Sequence, residues 1–399
     1  MKTAGIICEF NPLHRGHIYL MEQWRSSVGE ETAVICVMSG NYVQRGEPAL
    51  LRKHARAEAA VRSGADLVLE LPTAWALSSA EGFARAGVSL LTATGVTDTL
   101  LFGSECGELS SLQLLAQTLE EINGNDFRRQ MYSSGEHYAA VQQELLTKEL
   151  GEERASLLRQ PNNVLAVEYL KALQWSNSLL QPCTVLRSGA GHHQLAPQGE
   201  SCSAGALRHM ALRGEEICTY LPEAMAEMWQ RECAAGRAPV QMENMERSVL
   251  SKLRSMNEED FIPYDGGQEG LHHRFYQAVQ NAVSVEQLLQ QVKTRRYPMA
   301  RLRRMLLRAY LGLEAVTVPP AYLRVLACNA KGRTLLREMK KKAALPVLTK
   351  PADVRRLGEA ALSMFQSESR CTDLYVLAYP QLEQAGPGSE WRTDPVIVR

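Results

Sequence analysis

Two histidines stand three residues apart in the segment CEFNPLHRGH, which runs from Cys8 to His17. An apolar run precedes this segment and an amphipathic stretch follows it, so the pattern predicts a loop where a strand ends and a helix begins. On the first turn of that helix, His14 and His17 would share a face. Two imidazoles at a helix N-terminus can donate hydrogen bonds to phosphate oxygens and can stabilise negative charge on a leaving pyrophosphate.

Two other interpretations of this pair stay open. His14 and His17 are also compatible with ordinary polar residues at a helix start, and an isolated H-x-G-H favours that interpretation. Zinc binding would need a third ligand at suitable spacing, which the sequence does not offer, so no metal site is predicted. The position of the pair beyond the first predicted strand favours phosphate binding, because ligands of open α/β sheets bind beyond the carboxyl ends of the strands.

The elements that must position this loop alternate along the first half of the chain. Short runs rich in Val, Ile and Leu predict buried strands, and stretches with helical spacing of apolar residues lie between them. The predicted strands are 4–10, 33–39, 65–71, 98–104 and a candidate fifth at 183–189. This alternation predicts an α/β fold, a Rossmann-like doubly wound parallel sheet with helices on both faces.

The second half of the chain has a different character. After about residue 205 the candidate strands end, and long segments rich in Leu, Met, Arg and Glu predict helices. We therefore predict a catalytic α/β domain over 1–210, followed by a mainly α-helical C-terminal region over 211–399. The segment 383–399 is rich in turn formers, which predicts a loosely held tail.

Composition limits the class of protein. The 399 residues carry 44 basic and 44 acidic side chains, so a nucleic-acid partner must be met by a local basic patch. The nine cysteines form no C-x-x-C pair, which argues against a structural zinc site and a disulfide framework. No apolar run approaches the roughly 20 residues of a membrane span, and the first residues lack a signal-peptide pattern. We expect a cytoplasmic protein with neither a membrane nor a DNA partner.

A basic segment, KTRRYPMARLRRMLLR at 293–308, contains no acidic residue. Helical spacing places Arg301, Arg304 and Arg308 on one face, which could follow RNA phosphates while Tyr297 stacks on a base. A solvated helix face is the alternative. With one residue from the loop after the second strand, the predicted RNA-binding residues are Arg45, Lys293, Arg295, Arg296, Arg301 and Arg304.

Two more basic stretches extend this prediction. The first lies near the ligand-binding edge of the predicted sheet, where its cations would hold triphosphate or the incoming RNA end. Those cations are Arg45, Arg52, Lys53 and Arg56. Arg45 and Gly46 are the preferred pair, since a flexible loop after the second strand can close over the site. The second stretch, 329–345, makes a weaker case.

Seven motifs in one order carry a family resemblance: GIICEFNPLHRGH, MSGNYVQRGEPALL, GADLVLELP, LFGSE, PNNVLAVEYLKAL, RSGAGHH and KTRRYPMARLRRML. Over most of residues 1–310 the chain resembles the tRNA(Met) cytidine acetate ligase family of H-x-G-H nucleotidyltransferases. The resemblance is specific because two of its blocks, EFNPLHRGH and SGNYVQRGEPA, are long and ungapped. It implies the nucleotidyltransferase fold and an enzyme that uses ATP to join acetate to the wobble cytidine of elongator tRNA(Met). Since ATP-using sites generally employ Mg²⁺, we expect Mg²⁺ as well.

The resemblance also implies which residues bind ATP. Gly103 would let the nucleotide approach closely, and Arg187 would contact it. Asn162 or Asn163 would hydrogen-bond the nucleotide or acetyl-adenylate. The implied ATP-binding segment is Ile7, Cys8, Glu9, Phe10, Asn11, Pro12, Leu13, His14, Arg15, Gly16, His17, Ile18, Tyr19 and Leu20. The structural alternatives are a strand end for the glycine, a surface position for the arginine and a helix cap for the asparagines.

A late motif, SCSAGALR at 201–208, stands where nucleotidyltransferases carry an S-x-T-x-x-R element. Ser203 would cap a helix and Arg208 would face the triphosphate one turn later, although a plain cap with a surface arginine is the alternative. Gly205 departs from the S-A-T-A-I-R typical of the family and lacks a hydroxyl that could touch phosphate. The family's Tyr-His-Asp is replaced at 192–194 by His-His-Gln.

The predicted mechanism has two steps. Acetate attacks the α-phosphorus of ATP and pyrophosphate leaves, while His14, His17 and Arg208 stabilise the transition state. The N4 amine of cytidine then attacks the acetyl carbonyl of acetyl-adenylate, and AMP leaves. Two alternatives stay open at this point. One is an adenylyltransferase acting on a small phosphorylated metabolite, and the other is a non-catalytic RNA-binding protein with a degenerate nucleotide site.

Overall fold

The computed structural model describes residues 1–122, 138–187, 202–265, 270–314, 316 and 318–399. The predicted departure at 192–194 therefore lies outside the described residues. The strands are β1 Thr3–Cys8, β2 Ala33–Ser39, β3 Tyr42–Val43, β4 Glu47–Pro48, β5 Leu67–Leu71, β6 Thr99–Ser104, β7 Gln181–Leu186, β8 Leu323–Cys328, β9 Val347–Leu348 and β10 Val396–Ile397.

Helices make up most of the remaining described chain. They are α1 Arg15–Val28, α2 Lys53–Arg62, α3 Thr73–Ala76, α4 Ala80–Ala93, α5 Leu109–Ile122, α6 Tyr138–Leu150, α7 Glu152–Ala155, α8 Pro161–Trp175, α9 Ala204–Leu212, α10 Glu223–Ala234, α11 Met242–Arg254, α12 Ile262–Asp265, α13 Leu271–Asn281, α14 Val285–Val292, α15 Met299–Leu311, α16 Ala330–Lys342, α17 Glu359–Tyr375 and α18 Ser389–Arg392. None of these described helices is long and apolar enough to cross a membrane.

The main sheet of the described chain has eight strands in the order β10-β8-β5-β2-β1-β6-β7, with β9 beside β8. Strand β1 pairs in parallel with β2 on one side and with β6 on the other. The chain therefore leaves β1 toward β2 and later returns to its opposite flank. A crevice opens beyond the carboxyl ends of parallel strands at such a switch of direction, which places it beyond Cys8.

The predicted strands of the first half are confirmed, and the fifth forms at Gln181–Leu186. The alternation along β2 explains why helices cover both faces. Ile35 and Val37 pack in one apolar cluster with α4, α5 and α8. Val34 and Cys36 point the other way and pack in a second cluster with α1, α2, α9 and α10. The predicted doubly wound α/β fold is confirmed.

The sheet also recruits strands from the second half of the chain, so the prediction that strands end after about residue 205 is wrong. Strand β8 is completely buried and runs antiparallel to β5. Its six apolar and basic residues, LRVLAC, carry no alternation that separates a short buried strand from a helix. The tail predicted to be loose is anchored, because β10 pairs with β8 and Glu390 is buried.

The helical region has an apolar cluster of its own, built mainly from α11, α13, α14, α15 and α17. Tyr42 on β3 joins this cluster and meets Tyr375 edge-on, with ring centroids 5.8 Å apart. The short hairpin of β3 and β4 therefore connects the sheet to the helices. The division into 1–210 and 211–399 stays a prediction.

A buried ionic cluster holds the C-terminal helices against the sheet. Lys53 Nζ lies 2.6 Å from a carboxylate oxygen of Glu70 and 2.6 Å from one of Glu390. Arg324 on β8 adds a contact of 2.8 Å to Glu390. Glu368 on α17 accepts the N–H of Thr73 at 2.7 Å. Removing one member of such a buried ion pair would leave an uncompensated charge, so Lys53, Arg324 and Glu390 depend on one another.

Candidate active site

His14 and His17 cap the start of α1, directly after the loop that follows β1. His14 is the N-cap residue, and its Nδ1 accepts the N–H of Gly16 at 3.1 Å. The Nδ1 of His17 accepts the N–H of His14, also at 3.1 Å. These reciprocal bonds form a capping box in which two histidines replace the usual Ser or Thr and Glu or Gln. The helix begins one residue later than predicted, so His14 precedes its first turn.

These bonds also determine the protonation of the two rings. Because each Nδ1 accepts a backbone N–H, the proton of each neutral imidazole is assigned to Nε2. The rings face each other with centroids 3.8 Å apart. Burial lowers the pKa of His17 well below its usual value, and His14 and Arg187 lower it further. The capping bonds therefore use Nδ1 on both rings and leave the Nε2 edges outside the cap.

A cavity of about 440 Å³ opens beside this pair. It lies beyond β1 and β6 and is closed by α8, α9 and the β3–β4 hairpin. Its apolar walls include Phe83, Phe102 and Tyr169. Its polar lining residues are Glu9, Asn11, His14, His17, Gln44, Arg45, Asn162, Arg187, Ser203 and Arg208. Apolar walls with a few convergent polar groups are typical of a small-molecule site.

Helix α9 supplies Arg208, as the sequence predicts. Ser203 caps this helix, since its Oγ accepts the N–H of Ala206 at 3.1 Å. Arg208 donates from Nη1 to the carbonyl oxygen of Asn11 at 2.8 Å, and its Nε lies 3.7 Å from a carboxylate oxygen of Glu47. Burial lowers the pKa of Arg208, and Glu47 opposes that shift. The guanidinium is thus held at the loop after β1.

Gly103 and Arg187 lie side by side on neighbouring strands. The N–H of Arg187 donates to the carbonyl of Ser104 at 3.0 Å, which continues the pairing of β6 and β7. A Cβ placed at Gly103 would lie 3.1 Å from Arg187 Cγ. Gly103 therefore leaves room for the Arg187 side chain to cross the cavity floor. Burial lowers the pKa of Arg187, and Glu105 partly offsets this.

The two asparagines at the start of α8 have different environments. Asn162 lines the cavity, and its Nδ2 donates to Glu105 at 2.6 Å. Asn163 is fully buried, and its Oδ1 accepts the N–H groups of Glu105 and Cys106 at 2.9 and 3.2 Å. Asn162 can therefore reach a nucleotide, whereas Asn163 supports the loop after β6. The Glu105 carboxylate also accepts both asparagine N–H groups, a capping role that sequence analysis missed.

The hairpin of β3 and β4 lies between the cavity and α15. Gln44 donates its N–H to Glu9 Oε1 at 2.7 Å and accepts a hydrogen bond from Arg304 at 3.2 Å. Gly46 has φ +77°, and a Cβ there would lie 2.5 Å from the backbone nitrogen of Arg304. The predicted flexible loop is thus a hairpin packed against α15. Arg45 at its tip lines the cavity.

The arginines of α15 are engaged within the protein. Arg301 donates to the carbonyl of Asp265 at 2.9 Å, and Arg308 donates to that of Leu313 at 3.0 Å. Burial lowers the pKa of Arg304 to about 10. Tyr297 is only 7% exposed and packs in the helical cluster, so the prediction that it stacks on a base is wrong.

The basic residues just before α15 differ from the arginines of the helix in their exposure to solvent. Lys293, Arg295 and Arg296 are exposed, which suits contact with a polyanion. The weaker basic stretch, 329–345, ends beside the last turn of α4, where Ala344 donates to the carbonyl of Ala93 at 2.9 Å. That contact lies at the amino ends of the parallel strands, on the edge opposite the cavity.

Two other predicted phosphate or RNA contacts, those of Lys53 and Arg56, are wrong because both side chains are buried, whereas that of Arg52 stays a prediction. Arg52 pairs with Glu232 at 2.9 Å, and Lys53 belongs to the buried ionic cluster. Arg56 is completely buried and donates from Nε to the carbonyl of Leu51 at 2.9 Å. Local sequence could not reveal these roles, because the acidic partners of Arg52 and Lys53 come from distant parts of the chain.

Comparison with known proteins places this geometry in a family. A family model described as HIGH Nucleotidyl Transferase matches residues 1–389. The tRNA(Met) cytidine acetate ligase of Caldanaerobacter subterraneus subsp. tengcongensis is 37% identical over 389 residues, which cover 95% of this chain and 96% of that protein. The tRNA(Met) cytidine acetate ligase of Syntrophomonas wolfei subsp. wolfei is 34% identical over 414 residues, with 99% of each chain covered.

Solved structures extend the match to the whole fold. The crystal structure of Thermotoga maritima TmcAL (apo, form I) has a TM-score of 0.94 at 33% identity and covers 100% of both chains. The structure of the same protein bound with alpha-thio ATP (form II) has a TM-score of 0.92, with the same identity and coverage. The chain therefore belongs to the tRNA(Met) cytidine acetate ligase family of HIGH nucleotidyl transferases.

Proposed function

We propose that this chain is an ATP-dependent ligase that activates acetate as acetyl-adenylate and acetylates N4 of the wobble cytidine of elongator tRNA(Met), releasing AMP and diphosphate. The observation that carries the proposal is the pair of neutral imidazoles, His14 and His17, in one cavity with Arg187 and Arg208. The names of the relatives support it, and so does the alpha-thio ATP bound to the T. maritima protein. We place the reaction in the cytoplasm.

In the first step, an acetate oxygen attacks the α-phosphorus of ATP and diphosphate leaves. The Nε2–H edges of His14 and His17 would donate to phosphate oxygens, and Arg208 would neutralise the charge that grows on the leaving group. Arg187 and Asn162 would orient the nucleotide. The capping bonds hold both imidazoles before substrate arrives, which reduces the cost of ordering them in the transition state.

In the second step, the N4 amine of cytidine attacks the acetyl carbonyl carbon, and AMP leaves. We propose that the RNA approaches along the hairpin, where Arg45 lines the cavity. The exposed Lys293, Arg295 and Arg296 would bind its phosphates. Arg304 would act by holding the hairpin against α15, since its guanidinium donates to the carbonyl oxygen of Gln44. Arg301 would act by holding the end of α12 against α15, since it donates to the carbonyl oxygen of Asp265.

Mg²⁺ would arrive with the nucleotide. The described residues contain no cluster of three or more His, Cys, Asp or Glu side chains that could hold a metal ion. Mg²⁺ in nucleotide sites is often bound chiefly by substrate phosphates and water, so such a cluster is not required. The residues of this cavity would therefore bind the phosphates.

The test is incorporation of radiolabelled acetate into purified elongator tRNA(Met) in the presence of ATP, comparing the native protein with His17→Gln. Gln at this position can still accept the N–H of His14, so the capping box is retained while the Nε2–H donor is lost. Labelled N4-acetylcytidine with native protein, reduced at least about 100-fold in the variant, supports the proposal.

Two outcomes would reject it. Release of diphosphate only when a small phosphorylated acceptor is added would indicate a metabolite adenylyltransferase. Tight tRNA binding without any ATP turnover would indicate an RNA-binding protein with a degenerate nucleotide site.

A further inference from the structure

Glu9 is a carboxylate in a cavity otherwise suited to anions. It follows the last residue of β1 and is the single acidic residue among the cavity-lining residues that the structure describes. Arg45 and Arg208 line the same cavity and interact electrostatically with it, as does the buried Arg56. A negative charge here repels triphosphate, so binding of ATP does not account for it.

The two oxygens of this carboxylate have different environments. Oε1 accepts the N–H of Gln44 at 2.7 Å, which fixes the orientation of the side chain. Oε2 has no hydrogen-bond partner within the described chain. Burial raises the pKa of Glu9 above its usual value, although the neighbouring cations and the Gln44 bond oppose this. One oxygen is therefore anchored and the other is available, in a group more basic than an exposed glutamate.

Glu9 also lies on the side of the cavity from which RNA would approach. The carbonyl oxygen of Gln44 accepts a hydrogen bond from Arg304, so the hairpin that anchors Glu9 is itself attached to α15. The exposed segment with Lys293 and Arg295 comes just before this helix. His17, which would contact the phosphates, comes from α1. The carboxylate is thus oriented by the hairpin along which the RNA is proposed to approach.

Acylation of an amine leaves a proton to be removed. Resting on the proposed function, we propose that Glu9 is the general base of the transfer step and accepts the proton of the N4 amine through Oε2. The N4 atom forms a bond to the acetyl carbon, and the bond from that carbon to the phosphate oxygen of AMP breaks. AMP leaves with the electron pair, and the proton passes from N4 to Glu9 and then to water.

The variant Glu9→Gln tests this role, because its amide oxygen can still accept the Gln44 N–H. The control is Glu22→Gln, an exposed carboxylate on α1. Acetate-dependent exchange of diphosphate into ATP reports the first step, and single-turnover transfer from preformed acetyl-adenylate to tRNA reports the second. We expect exchange within about 3-fold of native and transfer at least about 100-fold slower for Glu9→Gln, since general bases contribute on the order of 10²–10⁴.

The pH profile gives a second readout. The native transfer rate should rise with pH as the carboxyl group loses its proton, whereas the residual rate of Glu9→Gln should lack that rise. The titratable or charged groups facing Glu9 are Cys8, Arg45, Arg56, Tyr169 and Arg208. Of these, the thiol and the phenol have raised pKa values, so neither competes in the acidic range.

Three results would overturn the inference. Equal loss of exchange and transfer, or a higher Mg²⁺ requirement, would make Glu9 a nucleotide-binding or metal-binding residue. Unchanged transfer would make it dispensable. Failure of the native protein to transfer acetyl to any tRNA is a different result, because it rejects the proposed function itself and removes this role with it.

Discussion

His14 and His17 cap the same helix reciprocally, with each Nδ1 accepting a backbone N–H at 3.1 Å and with ring centroids 3.8 Å apart. Structural capping and the proposed contact with phosphate therefore use different edges of the same rings. A purely structural role as a helix cap and a catalytic role are both compatible with this arrangement. They can be separated by variants that keep the cap and remove the Nε2–H.

The variant His14→Asn separates the capping role from the catalytic role. Asn is among the best N-cap residues, so its side-chain oxygen should accept the Gly16 N–H and the melting temperature should stay within about 2 °C of native. Acetate-dependent exchange of diphosphate into ATP should fall about 10²–10³-fold, because a transition-state donor is lost. His14→Ala, which removes the cap as well, should also lose about 1 kcal/mol of stability. Native exchange in the Asn variant would contradict a catalytic role.

Gly46→Ala should destabilise the contact between the hairpin and α15. The new Cβ would lie 2.5 Å from the backbone nitrogen of Arg304, and φ is +77°. Strain and overpacking together should cost about 2–4 kcal/mol in urea unfolding. Gly214→Ala is the matched control, since φ there is +74° but no atom lies within 4 Å of the Cβ position. That variant should lose only about 1–2 kcal/mol, and equal costs would exclude a close contact at Gly46.

Gly205→Thr should strengthen nucleotide binding. Gly205 lines the cavity, and a Cβ there would lie 3.8 Å from Ser203 Oγ and 4.0 Å from Arg208 Nη2, so a side chain fits. One new hydroxyl hydrogen bond to phosphate is worth about 0.5–1.5 kcal/mol, which lowers the KM for ATP roughly 2-fold to 10-fold. The check is the KM for ATP in diphosphate exchange, with Gly205→Ala as the control without a hydroxyl. A KM that rises in both variants would show that the position tolerates no side chain.

Alanine at Lys293, Arg295 or Arg296 should weaken tRNA binding without changing diphosphate exchange. Each substitution that removes one phosphate contact should reduce the slope of log affinity against log salt by about 1. Lys340→Ala is the control, because it lies near the end of α16 on the opposite edge of the sheet. Filter binding across a salt series measures both quantities. If Lys340→Ala had the larger effect, the RNA would have to bind elsewhere.

Glu368→Gln should alter the dependence of stability on pH. Burial and Glu70 raise the pKa of Glu368 from 4.5 to about 8. Between these values the folded protein keeps a proton that the unfolded chain has released, so the contribution of this group is greatest below 4.5 and is lost as pH rises through about 8. Gln mimics the protonated carboxyl group, so the free energy of unfolding of the variant, minus that of native protein, should increase across this range.

The neighbouring carboxylate of Glu390 does not titrate in the pH range of this measurement. Arg324 and Lys53 hold the pKa of Glu390 at about 2, below its ordinary 4.5, despite burial. Its stabilising contribution is therefore present above 4.5 and is lost only as pH falls toward about 2. The measurement is urea unfolding of both proteins at several pH values between 4.5 and about 8, which are the pKa values of Glu368 in the unfolded and the folded chain. A constant difference would mean that Glu368 is ionised in the folded protein.

Sequence alone determined the features that depend on neighbouring residues. The strands of the first half followed from short apolar runs, and two helix starts followed from His14 and Ser203. The order of strand, loop and helix sufficed to place the His14–His17 pair beyond a carboxyl end of the sheet. A spacing of three or four residues acts within a single turn, so these relationships need no knowledge of distant chain.

Only the tertiary structure decided which charged residues face the cavity and which are buried. Lys53 pairs with Glu390 across 337 positions, and Arg304 bonds to the Gln44 carbonyl across 260. Strand β8 became part of the sheet because β5 offered it an unpaired edge, which no local pattern records. The burial of charged residues, their ion pairs and the raised pKa of Glu9 all depend on groups that folding brings together. The identity of a single residue does not predict them.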